Sequence, residues 1–302
     1  MAVKAPPYLQ KGDTIGIVCP AGFMPVAKAE TCIKVLKQWG YKVKVGMTLG
    51  HEFNYFSGTD EERLNDLQTM LDDKEVKAIL CGRGGYGTSR IIDAINWNAF
   101  KKNPKWVIGF SDITVLHSYM LTKLNTASIH APMAAAFNNG EYKNPFVQSL
   151  KKVLSGKPSI YKTTTHPFNR KGDATGLLVG GNLSLLAHQV GTTSDIDTKG
   201  KILFMEDIGE YLYNIDRMLI QLQRSGKLDR LKALIVGGFS DMKDTTTPFG
   251  QTVEELIWDK VKIFNYPVCF GFPVSHDKEN YALKVGGHYQ LTVGKNVVLL
   301  EV

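Results

Sequence analysis

Strand-like and helix-like segments alternate through the first half of the chain, and this alternation is what most constrains the fold. The strand-like runs are apolar and rich in β-branched residues, and the segments between the first three of them have helical spacing. The strands are expected at Thr14–Ala21, Tyr41–Val45, Val76–Cys81 and Trp106–Phe110, and the helices at Val26–Trp39 and Thr59–Asp72. Strands alternating with helices at this spacing predict a parallel sheet covered on both faces, in an α/β fold.

The segment Ser155–Gly172 changes the character of the sequence, because it is rich in lysine, proline and threonine and has no period. It is interpreted as a connection. Two domains are therefore expected, at residues 1–160 and 161–302. The second half predicts another α/β domain with a mixed, strand-rich end, and the last two strands are expected to form a hairpin around Gly294-Lys295. Further strands are expected at Gly176–Gly181, Lys201–Asp207, Leu231–Phe239 and Pro267–His276, and helices at Asn214–Arg224 and Val253–Ile263.

Composition excludes several classes of protein. With 302 residues and 43% hydrophobic content, the chain is long enough for two substantial cores. The formal charge of +7 comes from scattered lysines, so no nucleic-acid partner is expected. The four cysteines show no metal spacing and are interpreted as reduced core residues of a cytoplasmic protein. No run is long or apolar enough for a signal peptide or a membrane span, so no membrane partner is expected either.

Ser111 occupies a position suited to a nucleophile. It follows the predicted strand that begins at Trp106 and precedes a helix-like segment, Asp112–Leu124. A serine on a tight strand-to-helix turn exposes its hydroxyl near the first backbone N–H groups of the helix. Serine is also a common N-cap, however, and this stretch alone does not decide between the two roles.

The loop that follows the third strand, GRGGYG from Gly82 to Gly87, formally matches a dinucleotide-binding pattern. The next strand does not end with the acidic residue that such a site needs, and the loop does not follow the first strand of the domain. The preferred interpretation is that the glycines let the backbone approach a ligand. The N–H groups of Gly84 or Gly85 and of Asp112 then form an oxyanion hole beside Ser111.

A serine nucleophile requires a base and an acid that orients the base. His276 ends the predicted strand PVCFGFPVSH, and Glu206 ends the strand ILFMED. His130 is a second histidine that could line the cleft, whereas His117 and His188 lie on predicted helices and suit packing or surface roles. Each residue has a structural alternative, such as pairing of Glu206 with Arg217. All three groups are expected at carboxyl ends of strands, which favours a Ser, Glu, His triad.

Taken in order, GRGGYG, GFSDIT, GGNLSLL, FMEDIGEYLYNIDRML and GFPVSH resemble the LD-carboxypeptidase family of serine peptidases over nearly the whole chain. This family includes muramoyltetrapeptide carboxypeptidases and microcin C self-immunity peptidases. The resemblance implies Ser111 as nucleophile, Glu206 and His276 as the other triad members, and the N–H groups of Gly85 and Asp112 as the oxyanion hole. It also implies a two-domain build, usually as a homodimer, with the serine on the first domain.

The implied activity is removal of a terminal D-amino acid from a peptide, most simply D-alanine from a murein tetrapeptide, with no metal or other cofactor. Arg83 is the candidate to bind the free carboxylate of the substrate, with Gly84 and Tyr86 as neighbouring contacts. Two alternatives stay open: a microcin-type peptidase acting on aminoacyl-nucleotide conjugates, with Tyr211 and Tyr213 as an aromatic shelf, and a non-catalytic ligand-binding protein. Lys284 departs from the family pattern, which often has proline there.

Overall fold

The computed structural model describes residues 3–302 of the chain. They form two compact units. The first extends to Lys157 and also includes Tyr281–Lys284; the second contains Pro158–Asn280 and Val285–Val302. The short segment Tyr281–Lys284 therefore returns to the first unit from a part of the sequence that lies far beyond residue 160.

The strands are β1 (Thr14–Val18), β2 (Lys42–Val45), β3 (Val76–Cys81), β4 (Trp106–Gly109), β5 (Ser128–His130), β6 (Ile160–Thr163), β7 (Gly172–Asn182), β8 (Ile202–Ile208), β9 (Ala233–Ser240), β10 (Val268–Cys269), β11 (Leu283–Val285), β12 (His288–Val293) and β13 (Val297–Glu301). The α-helices are α1 (Glu30–Gln38), α2 (Asp60–Asp72), α3 (Thr88–Ile91), α4 (Asn98–Lys102), α5 (Thr114–Leu124), α6 (Pro145–Leu154), α7 (Leu183–His188), α8 (Leu212–Arg224) and α9 (Val253–Val261).

The first sheet has the strand order β11-β5-β4-β3-β1-β2, and the pairs from β5 through β2 are parallel. This confirms the predicted parallel α/β architecture. β3 and β4 are neighbours, so the loops that leave their carboxyl ends emerge at the same edge of the sheet. Those two loops carry the glycine-rich segment and Ser111.

The second sheet is mixed and has the order β10-β9-β8-β7-β12-β13-β6. The four strands from β10 to β7 are parallel, whereas β12, β13 and β6 pair antiparallel. The predicted hairpin is confirmed, because β12 and β13 pair directly across the turn at Gly294-Lys295. Glu206 lies on β8, a fully buried position within this sheet.

Two expectations about the second unit were wrong. The supposed connection Ser155–Gly172 contains β6, a short edge strand that pairs with β13. The supposed strand Pro267–His276 is a strand only at β10. Beyond β10, Gly271 has a φ of +67° and Pro273 has no N–H to donate, so the ladder stops there. His276 therefore lies on an irregular segment and not at the end of a strand.

The helical predictions hold best where a local cap sets the boundary. Thr59 and Glu62 form the expected capping box at the start of α2. The segment Val26–Trp39 instead begins with a 3-10 turn before α1. Three further helices, α3, α4 and α6, have no counterpart among the predicted elements.

Candidate active site

Ser111 has a backbone conformation that few non-glycine residues adopt. Its φ is +63°, and it is the first residue of a 3-10 turn, Ser111–Ile113, that follows β4 and leads directly into α5. Neither of these helical segments has a side-chain cap hydrogen bond, so Ser111 is not the N-cap that one interpretation of the sequence suggested. A non-glycine residue held at positive φ costs on the order of 1–3 kcal/mol, and such strain concentrates at functional sites. The turn has the form of a nucleophile elbow.

The glycine loop lies directly against Ser111. A methyl group at Gly84 would stand 3.0 Å from the Ser111 Cβ and 3.2 Å from its Oγ. Gly85 follows with a φ of +103° and is exposed. Because a side chain at Gly84 would crowd the serine, glycine at this position lets the loop backbone pass directly beside the Ser111 side chain.

A buried carboxylate fastens this loop to the serine turn. The side chain of Asp112 accepts hydrogen bonds from the N–H and the hydroxyl of Thr88, at 2.8 and 2.5 Å. Burial raises the pKa of Asp112, and the Thr88 hydrogen bonds oppose that rise. Through these hydrogen bonds, Asp112 joins the turn that carries Ser111 to the end of the glycine loop.

The side chain of Arg63 is hydrogen-bonded to the end of the same loop. Its side chain is fully buried and donates to the carbonyls of Pro20, at 2.6 Å, and Gly87, at 3.1 Å. It also pairs with Asp60 at the start of α2. A buried guanidinium bonded to several carbonyls fixes loops that have little secondary structure of their own.

His117 and His130, both in the first unit, have packing roles. His117 is fully buried beside Gly109, its Nε2 lying 2.9 Å from the carbonyl oxygen. Burial lowers its pKa to about 4, so the ring is neutral at physiological pH. His130 is also fully buried, on β5, with its ring against Phe110. Neither lies on an accessible surface where a general base would be needed.

In the second unit, His276 Nδ1 lies 2.5 Å from Oε2 of Glu206. Glu206 is fully buried, and burial raises the pKa of its carboxyl while the His276 hydrogen bond works against the rise. Burial also disfavours the charged imidazole, but the hydrogen bond and charge of Glu206 outweigh it and raise the pKa of His276 above its usual 6.5. A carboxylate on Nδ1 fixes the tautomer in which Nε2 is the basic nitrogen.

The neighbouring acids have other partners. Asp207 accepts from Asn182 Nδ2, at 2.8 Å, and from the N–H and hydroxyl of Ser184, so it fastens the start of α7 to β8. Glu210 accepts from Asn214 Nδ2 at 3.1 Å. Glu206, rather than Glu210, is therefore the acid in contact with the histidine. The alternative pairing of Glu206 with Arg217 does not occur, since Arg217 bonds to Asn214.

Two of the candidate substrate contacts, Arg83 and Tyr86, are exposed, whereas Gly84 is buried. Arg83 is exposed, and its Nη1 donates to the carbonyl of Phe23 at 2.6 Å, with no acidic partner among the ion pairs of residues 3–302. Tyr86 is exposed beside it in the same loop. Tyr211 and Tyr213, the tyrosines of the predicted aromatic shelf, stack on one another with ring centroids 5.4 Å apart.

Lys284, which departs from the family pattern, is buried, and its Nζ donates to the hydroxyl of Tyr8 at 2.8 Å.

Within the part of the chain that the structure describes, no cluster of three or more histidine, cysteine or acidic side chains has the arrangement of a metal site. Among the same residues, no helix has the length and apolar character needed to cross a membrane. The first unit presents a strained serine beside a glycine loop, and the second unit presents a histidine–glutamate pair.

Sequence reasoning missed the residues that hold these groups in place. Thr88, Arg63 and Asn182 were not singled out, although Thr88 directly follows the glycine loop. A polar side chain after a run of glycines is a signal that such a loop is tethered. The partner of Thr88, Asp112, was predicted only as a backbone N–H donor, and its side chain was given no role.

Two family models match the chain: the LD-carboxypeptidase N-terminal domain over residues 15–131, and the LD-carboxypeptidase C-terminal domain over residues 175–291. A probable murein peptide carboxypeptidase of Bacillus subtilis (strain 168) is 35% identical over 299 residues, which is 98% of this chain and 94% of the relative. The chain belongs to the LD-carboxypeptidase family. The protein is accordingly a hydrolase of the carboxypeptidase class.

Solved structures show the same two-domain fold. The crystal structure of muramoyltetrapeptide carboxypeptidase from Oxalobacter formigenes is 31% identical, with a TM-score of 0.86, and the match covers 95% of this chain and 98% of that one. The structure of MccF in complex with glutamyl sulfamoyl guanosine has a TM-score of 0.87 over 98% of both chains at 21% identity, and at that identity the likeness extends to the fold alone.

Proposed function

We propose that Ser111 is the nucleophile, His276 the general base and Glu206 the acid that orients it. The reaction is hydrolysis of the amide bond that joins an L-centre to a terminal D-amino acid. The observation that carries the proposal is the 2.5 Å contact between His276 Nδ1 and Glu206 Oε2. It is accompanied by the positive φ of Ser111, +63°, in the first unit.

In the first step, His276 Nε2 takes the hydroxyl proton as Ser111 Oγ attacks the scissile carbonyl carbon. The carbonyl oxygen becomes an oxyanion, which the N–H groups of Gly85 and Asp112 stabilise. Collapse of the tetrahedral intermediate breaks the C–N bond, and the imidazolium returns its proton to the leaving amine. Water then attacks the acyl-enzyme with His276 again as the base, and this releases the shortened peptide and regenerates the serine.

Glu206 assists each proton transfer without itself taking up the proton. Its buried carboxylate holds the ring in one tautomer and stabilises the imidazolium that forms, which is the role of the acid in a serine triad. The raised pKa of His276 has the sign expected for this arrangement, because a nearby negative charge favours the protonated ring.

Arg83 is proposed to bind the terminal carboxylate of the substrate, with Gly84 and Tyr86 lining the same loop. Support comes from its exposure and from its position within the glycine loop, next to Gly84, which lies against Ser111. Arg83→Lys keeps the charge but loses the planar fork, so we expect KM for peptides with a free carboxyl terminus to rise about tenfold at little cost to kcat. Steady-state kinetics on a free and an amidated peptide test this, and equal KM values in the two enzymes would remove Arg83 from the role.

The proposed substrate is a murein tetrapeptide, from which the enzyme releases D-alanine during peptidoglycan recycling. The names of the Bacillus and Oxalobacter proteins support this choice. The Oxalobacter structure has the same fold over nearly the full length of this chain.

We further propose a cytoplasmic homodimer. The four cysteines are free and buried, as a reducing compartment allows. Light scattering coupled to gel filtration tests the dimer.

The function is tested by mass spectrometry of three substrates, each incubated with the wild type and with Ser111→Ala. They are a murein tetrapeptide, the corresponding pentapeptide and an adenylated peptide. We expect loss of one D-alanine from the tetrapeptide alone, and no loss with the variant. Cleavage of the adenylated peptide instead would replace the proposed substrate with a microcin-type one, and cleavage of none would contradict the proposal.

A further inference from the structure

Two adjacent glycines of β9, Gly237 and Gly238, lie beside the candidate glutamate. The register between β8 and β9 shifts at this point, so that these two residues together stand opposite the single residue Glu206. One extra residue on one strand is a β-bulge, which bends the strand and redirects neighbouring side chains. Bulges are over-represented next to active sites, and a strand glycine often marks the close approach of another backbone.

The approaching backbone is the irregular segment that carries His276. Gly238 N–H donates to the carbonyl of Val274 at 2.9 Å. A methyl group at Gly237 would lie 2.1 Å from that carbonyl oxygen, and one at Gly238 would lie 2.5 Å from the Cβ of Ser275. Contacts this short do not occur between real atoms of these types. The residues just before His276 can therefore take their places only because neither glycine has a side chain.

The segment is also fixed on either side of this contact. Before it, Phe272 N–H donates to the carbonyl of Val236 at 3.1 Å. After it, the hydroxyl of Ser240 donates to Asp277 Oδ2 at 2.7 Å. All three attachments are on β9, and His276 lies between the second and the third.

We infer that the Gly237–Gly238 bulge is the positioning device that sets His276 against Glu206. The glycines do not touch the reacting atoms. They act by letting the histidine segment lie directly on β9, which brings the imidazole within hydrogen-bond reach of β8. The importance for turnover rests on the proposed function, whereas the effect on the His276–Glu206 contact does not.

Gly237→Ala is the direct test. Gly237 is not among the glycines with positive φ, so alanine suits the backbone and the change adds only the methyl group. We expect kcat to fall about 100-fold or more with little change in KM, since a misplacement of about 1 Å near the chemistry has an effect of that size. Proton NMR of the enzyme labelled with 15N-histidine should lose the low-field Nδ1–H resonance of His276.

The pH profile gives a further readout. The carboxylates that raise the pKa of His276 belong to Glu206, Asp207 and Asp277. Separation of the ring from Glu206 should move the acid limb of kcat/KM to lower pH. The matched control is Gly176→Ala on β7, where the nearest atom would lie 3.5 Å from the new methyl group. This variant should keep the wild-type resonance, kcat and pH profile.

A second pair of variants covers the case in which Gly237→Ala does not fold. In the wild-type background, Gly238→Ala should strongly reduce both kcat and the intensity of the His276 Nδ1–H resonance. Both reductions should be much smaller in a Ser275→Gly background, which lacks the clashing Cβ. A folded Gly237→Ala enzyme with the full resonance and wild-type kcat would overturn the inference, as would equal effects of Gly238→Ala in the two backgrounds. The NMR result decides the inference whether or not the wild type cleaves a murein peptide.

Discussion

The Ser111 side chain is presented by the strained backbone of its own turn, whereas the His276 ring is oriented by contact with another side chain. The serine sits at a positive φ on a turn whose neighbours are tied together by Asp112 and Thr88. The histidine lies on a segment with no regular structure and is oriented by its 2.5 Å contact with Glu206. A nucleophile needs an exposed hydroxyl, which a strained turn provides. A base needs one nitrogen held and the other directed, which a buried carboxylate provides.

This difference predicts which substitutions act on chemistry and which act on stability. Changes at the histidine–glutamate pair should affect proton transfer and its pH dependence. Changes at the serine turn should affect oxyanion stabilisation and the strain stored in the native state. Three substitutions separate these effects.

The largest effect is expected for Glu206→Gln, which keeps the shape of the side chain but removes its charge. The amide favours the wrong tautomer of His276, so we expect kcat to fall by about 10⁴-fold. Glu206 raises the pKa of His276 above 6.5, and kcat/KM requires the neutral ring. Wild-type activity should therefore rise with pH through a midpoint above 6.5, and in the variant this midpoint should move to lower pH. A pH profile with its midpoint unchanged would show that His276 is not the titrating base.

A smaller effect is expected for Thr88→Val, which loosens the tether of the serine turn. The variant removes one of the two Thr88 hydrogen bonds to the buried Asp112 carboxylate, which should lower the free energy of unfolding by about 1–3 kcal/mol. Partial displacement of the oxyanion donors should lower kcat about tenfold, with the pH midpoint unchanged. Thr69→Val is the control, because the Thr69 hydroxyl donates to a carbonyl of its own helix and not to a buried carboxylate. A shift of the pH midpoint in Thr88→Val would break the proposed separation.

The smallest effect, and the only gain, is expected in the stability of Ser111→Gly. Glycine adopts a positive φ without strain, so urea denaturation should show the variant to be about 1 kcal/mol more stable than the wild type, although it is inactive. Ser155→Gly serves as the control, because Ser155 has a φ of −83° and stores no such strain. Equal or lower stability of Ser111→Gly would mean that the serine turn holds no strain.

The serine turn could be predicted from the sequence more completely than the histidine segment. The serine turn lies between a strand and a helix that are close in sequence, so local composition was enough to find both. The parallel sheet and the capping box at Thr59 were accessible for the same reason. The glycine loop was identifiable because neighbouring parallel strands bring their loops to one edge.

The histidine segment was harder to predict, because its conformation is set by β9, more than thirty residues earlier in the chain. An apolar run such as PVCFGFPVSH has the composition of a strand, but Gly271 and Pro273 end the ladder within it. Its attachment to the glycines of β9 depends on a bulge that no local pattern reveals. The edge strand β6 was not predicted for a related reason: its pairing partner β13 is distant in sequence, near the end of the chain.

The central claim is that Ser111 is a nucleophile activated by the His276–Glu206 pair. Its most direct test is labelling with a fluorophosphonate, followed by peptide mapping by mass spectrometry, in the wild type and in His276→Ala. We predict a single adduct on Ser111 in the wild type, formed at least about 10³-fold more slowly without the histidine. An adduct on another residue, or labelling of Ser111 at the same rate in His276→Ala, would contradict the claim.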